Sequence, residues 1–197
     1  MTMQEMIDKG LSLVQHDEQH DLKVGFRCRL LSSFDSISEA GRRFRTKLAQ
    51  LSVEKVLPSW ESFFPTDRTP RKALELAEKV LAARISTQAA EKETRLLWAH
   101  CDDLLWRHAD RQNAIMVGYG AIQAVRDSLS EKHFGCEQVT DESTDLNIEP
   151  YDSDSSCFAA VAYSGGAPWE KSSDPHKRLE FWTWWLTSAV RAAMSIA

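Results

Sequence analysis

The chain has 197 residues, 43% of them hydrophobic and 27% charged, with a formal net charge of −5. That length suits one domain burying its own core, and the composition excludes a disordered or fibrous chain. No apolar run approaches the roughly 20 residues of a bilayer span. The opening MTMQEMIDKGLSLVQHD carries acids where a secretory signal has its apolar stretch, so the expected location is the cytoplasm, without a membrane partner.

Helical spacing of apolar residues dominates the chain. It predicts a short amphipathic helix over 3–14 with Met6, Leu11 and Leu13, and a second over 21–33 with Leu22, Phe26, Leu30 and Leu31. Ser36-Ile37-Ser38-Glu39 matches a capping box, opening a helix whose Ile37, Ala40, Phe44, Leu48 and Leu51 share a face. Pro58 is expected to stop that helix near Leu57. Residues 58–70 hold Pro58, Pro65 and Pro70 beside Trp60, Phe63 and Phe64. This predicts an ordered, non-helical connection laid on the helices.

Thr69-Pro70 reads as an N-cap followed by proline at the first helical position, starting a helix over 70–84. Longer helices follow at 87–109 and 112–133, with Gly118, Gly120 and Ala121 marking a close approach to a neighbour and Gly135 a stop. The stretch 136–152 is acidic and loop-like. A short helix over 154–163 ends at Gly165-Gly166, a turn falls at Pro168-Trp169, and the last helix covers 176–195. Nothing alternates as a strand. The expected fold is all-α: one domain, 1–197, of antiparallel helices in a bundle, or stacked as in a solenoid.

The chemical motifs of dinucleotide, nucleoside triphosphate, zinc-protease and serine-hydrolase sites are absent. The four cysteines, Cys28, Cys101, Cys136 and Cys157, are widely spaced without a CxxC pair, and read as free thiols in a reducing compartment. His16 and His20 stand one helical turn apart, but two ligands do not make a metal site. His100 neighbours Cys101 in sequence, yet adjacent helical residues point about 100° apart, so His100 does not readily activate the thiol. No catalytic residue, metal or cofactor is expected.

Charge and aromatic placement point instead to a protein partner. From His133 to Glu170 there is no Lys or Arg, while Glu137, Asp141, Glu142, Asp145, Glu149, Asp152, Asp154 and Glu170 all fall there; the rest of the chain has 21 acids against 24 bases. Such a surface repels nucleic acid, and reads either as a site for a basic protein or as a solvated acidic loop. In the last helix, Leu179, Trp182, Trp185, Leu186, Ala189, Ala193 and Ile196 gather on a core face. Glu180, Trp184, Thr187, Ser188 and Arg191 fall opposite, with Phe181 at the edge. An outward Trp184 reads as an interface anchor or as a ring tucked beneath a loop. The candidate partner-binding residues are therefore Trp184, Arg191, Asp141, Glu142, Asp145 and Glu149.

Two blocks carry a resemblance. VLPSWESFFPTDRTPRKALELAEKVL, from Val56 to Leu81, and AAVAYSGGAPWEKSSDPHKRLEFWTWWLTSAV, from Ala159 to Val190, resemble segments of helical immunity proteins of bacterial polymorphic toxin systems. The similarity is to the family numbered five in that series and its relatives. It implies an all-α protein that stays in the producing cell, as monomer or homodimer, and binds and blocks a cognate toxin domain. If the toxin is a basic nuclease, the acidic segment would occupy its phosphate-binding surface. The competing readings are a helical adaptor unrelated to toxins and a metal-dependent enzyme using His16, His20, His100 or Asp103.

Overall fold

A computed structural model describes residues 1–34, 38–130, 139–140 and 142–195, without the side chains of Asn147 and Pro150. The elements are α1 (Met3–His16), α2 (Val24–Ser33), α3 (Glu39–Phe63), α4 (Thr69–Leu81), α5 (Thr87–Arg107), α6 (Gln112–Leu129), α7 (Ser155–Ser164), α8 (Pro175–Trp184) and α9 (Val190–Met194), with a π turn at Trp185–Ala189 joining the last two and short 3₁₀ turns between others. No strand occurs among the described residues.

α6 is the axis. From Ala114 to Ser128 almost every side chain is buried, on all sides of the helix. A helix buried on every side is central to its fold, and here α3, α4, α5 and α7 surround it. That wrapping makes a bundle rather than a stack of sequential pairs. Gly118 and Gly120 let the neighbours in. A Cβ on Gly118 would stand 2.7 Å from Cys101 Sγ and 2.8 Å from Trp60 Cζ3; one on Gly120 would meet Phe158 Cβ and Ser155 O at 3.3 Å. α1 packs outside, against α2, α8 and the π turn.

Three starts and stops differ from expectation. α3 does not end at Leu57 but runs through Pro58 to Phe63, so residues 58–63 are helical and the non-helical connection is short. Pro58 faces solvent, where water can satisfy the carbonyl its missing N–H leaves free. The turn beyond it is held because Trp60 is fully buried and its indole N–H donates to Asp67 O at 2.8 Å. The cap of α3 is Ser38, which accepts from Gly41 N at 3.0 Å; Glu39 pairs with Arg43 instead of reaching back, and Ser36 and Ile37 lie outside the described residues. At α4, Thr69 is already helical, its N–H donating to Asp67 Oδ1 at 2.8 Å. The expected stop at Gly135 also lies outside the described residues.

The end of the chain keeps a helical course but changes pitch. Phe181 and Trp182, Trp185 and Leu186, Ala189 and Val190, and Ala193 are all buried. Those pairs recur every four residues. A regular helix of 3.6 residues per turn would rotate such a stripe off the core, and the wider π turn at Trp185–Ala189 holds it in place. This puts Phe181, expected at the edge of the outer face, entirely inside.

Candidate partner interface

Several residues of the second resembling block hold the fold together. Trp185 donates its indole N–H to Ser52 Oγ at 3.0 Å, and Trp182 to Asp21 Oδ1 at 3.3 Å. Arg178 is almost wholly buried and ties the Gly-rich turn to α8, donating to Ser164 Oγ at 2.8 Å, Ser173 Oγ at 3.1 Å, Asp21 Oδ1 at 3.2 Å and the Gly166 carbonyl. Buried donors need such partners, or the fold bears the full desolvation cost.

Arg27, also fully buried, holds the neighbouring region. Its guanidinium donates to both oxygens of Asp145, one at 3.0 Å, to Asp154 Oδ2 at 2.9 Å and to the Leu22 carbonyl, and lies 5.4 Å from the Trp182 ring. Two guanidiniums and three carboxylates, those of Asp21, Asp145 and Asp154, thus share this part of the interior. Burial, with Asp145 nearby, raises the Asp21 pKa against the opposing pull of Arg27 and Arg178. Burial and the same carboxylates push the Cys157 thiol well up, which disfavours its nucleophilic thiolate.

Asp145 therefore has to be corrected as a partner-binding residue. Its side chain is 5% exposed and both its oxygens are taken by Arg27, so it anchors the acidic segment to α2 instead of facing a partner. Glu142 is 89% exposed beside Lys23 at 3.4 Å, and Glu149 is exposed. Asp141 lies outside the described residues. Trp184 is half-buried. It leans on Phe181, and Lys55 of α3 lies 5.2 Å from its ring. Arg191 is exposed and donates to Gln4 Oε1 at 2.9 Å.

The histidine clusters separate. His16 Nδ1 contacts the Ser12 carbonyl at 2.7 Å and His20 Nδ1 the Val14 carbonyl at 2.9 Å. His100 pairs with Asp67 Oδ2 at 2.6 Å, while Asp103 pairs with Arg107. Cys101 is buried, and desolvation raises its pKa far above the usual thiol value. Among the described residues no group of three His, Cys, Asp or Glu could hold a metal, and no helix is long and apolar enough to cross a membrane. Cys101 and Cys157 are free thiols, but Cys28 is disulfide-bonded, against the expectation of four free thiols.

Exposed aromatic positions, Trp106 and Trp169 among them, escaped the helical-wheel reading. Trp106, near the C-terminal end of α5, is 88% exposed. Trp169 is 53% exposed at the mouth of a cleft of about 200 Å³ between α6, α7, the acidic segment and the Gly-rich turn. Its sequence signal was the Pro168-Trp169 turn, which a search confined to helix faces passes over. Leu146 (67% exposed) and Tyr151 (48%) also stand out from the acidic segment.

No curated protein matches the chain. The family model described as Immunity protein Imm5 matches residues 7–192, nearly the whole length, and the chain belongs to that immunity protein family.

Proposed function

We propose that this protein binds the toxin domain made by the same cell and neutralises it by occlusion. Family membership over residues 7–192 carries the reading.

The acidic segment is the proposed electrostatic contact, through Glu142 and Glu149, with Trp184 and Arg191 as a second contact on the far helix. A basic toxin, such as a nuclease that binds phosphate, is the class this charge favours. Co-expression tests the reading. The toxin encoded beside this chain should kill a susceptible bacterium alone and not when this protein is present, and the two should co-purify. Killing that this protein does not relieve refutes the reading. Neutralising Glu142 and Glu149 together should slow association and flatten its dependence on salt.

A further inference from the structure

We propose that the cleft beneath Trp169 receives a lysine or arginine side chain of the toxin, a role that rests on the immunity reading. At about 200 Å³ the cleft is smaller than the roughly 300–1,000 Å³ of small-molecule sites and suits one long side chain. Its walls are apolar, from Met116 of α6, Phe158 and Val161 of α7, and Ile148 of the acidic segment. Such walls take the methylene stem of a basic residue while its head finds polar partners.

The polar partners are acceptors. Asn113 donates its amide N–H to the Gly165 carbonyl at 2.7 Å, which fixes the orientation of the group. Its Oδ1 is itself buried, and the acceptor that lines the cleft is the carboxylate of Glu170. Glu170 supplies a carboxylate, held in place by the Ala167 N–H at 2.8 Å. Among the described lining residues there is no Lys or Arg, and behind Asp145 the interior carries three carboxylates to two guanidiniums. Trp169 lines the cleft and is 53% exposed, and an aromatic ring attracts a cation more strongly as water is excluded.

Butylguanidinium and its neutral isostere butylurea test the cleft without any toxin. In NMR titrations of the intact protein, butylguanidinium should shift the Asn113 side-chain amide and the Trp169 indole saturably, at least fivefold more tightly than butylurea. Equal affinities, or no saturable shift at these groups, would overturn the proposal. Against the toxin, Trp169→Ala and Glu170→Gln should each weaken binding roughly 10- to 100-fold, with the urea midpoint of the Trp169 variant unchanged. Full affinity in both variants removes this cleft and leaves the immunity reading standing. Wild-type protein that fails to bind toxin removes both the reading and the proposed occupant, whatever butylguanidinium does.

Discussion

Arg27 and Asp145 stand 118 positions apart in the chain and meet fork to fork, Nη1 to Oδ2 at 3.0 Å and Nη2 to Oδ1, with side-chain exposures of 0% and 5%. Paired carboxylate and guanidinium of this geometry give direction as well as attraction. The contact divides the acidic segment into an acid that builds the fold and acids that face water. Asp145→Ala removes one of the two carboxylates paired with the buried Arg27, leaving Asp154 in place, and should cost about 1–3 kcal/mol. Glu142→Ala and Glu149→Ala should each change stability by less than about 0.5 kcal/mol. Urea unfolding of the three variants checks the division, and equal losses would contradict it.

At Gly118, Cys101 of α5 and Trp60 of α3 crowd α6. A methyl group there would lie 2.7 Å from Cys101 Sγ and 2.8 Å from Trp60 Cζ3, and Trp60 cannot yield because it is wholly buried and hydrogen-bonded to Asp67. Gly118→Ala should therefore destabilise by about 1–3 kcal/mol, although alanine is the better helix former. Thermal denaturation reads the sign, and a raised Tm would show that the neighbours can give way.

Pro58→Ala should act in the opposite direction. The position is exposed and helical, so an alanine restores a backbone hydrogen bond without disturbing the core. Offset by the greater freedom of the unfolded chain, the net gain should be about 2 kcal/mol. A lower urea midpoint would mean that the proline supports this turn.

Asp67 sets part of the acid sensitivity. Burial pushes its pKa up, but hydrogen bonds from Thr69 and His100 outweigh burial and hold it below the usual 3.8. The unfolded state then binds more protons in the interval between the two values, so stability rises with pH there. The contribution is full above the unfolded value and is lost as pH falls through the folded one. Asp67→Asn should flatten this part of the stability profile below about pH 4, as followed by urea unfolding at a series of acid pH values. A profile identical to wild type would place the acid sensitivity elsewhere.

Much of the architecture was legible along the chain. Apolar spacing located the helices, because a helix that must bury one face repeats that need every three or four residues. Gly118 and Gly120 announced a close approach that the contacts with Trp60, Cys101 and Phe158 bear out. Asp154 and Gly165, the ends of α7, also follow from local chemistry, a side-chain cap and a left-handed backbone at φ +81°. The Val56–Leu81 and Ala159–Val190 blocks pointed to the immunity family that the match over residues 7–192 shows.

Tertiary structure decided what local pattern cannot carry. Pro58 breaks a helix only when nothing holds the turn beyond it, and the buried Trp60 holds this one. A wheel of constant pitch could not anticipate the π turn that draws Phe181 into the core beside Trp182. Along the sequence Asp145 looks the same as Glu142 and Glu149. It is distinguished by an arginine 118 positions away, because burial and charge pairing depend on distance in space, which the order of residues does not contain.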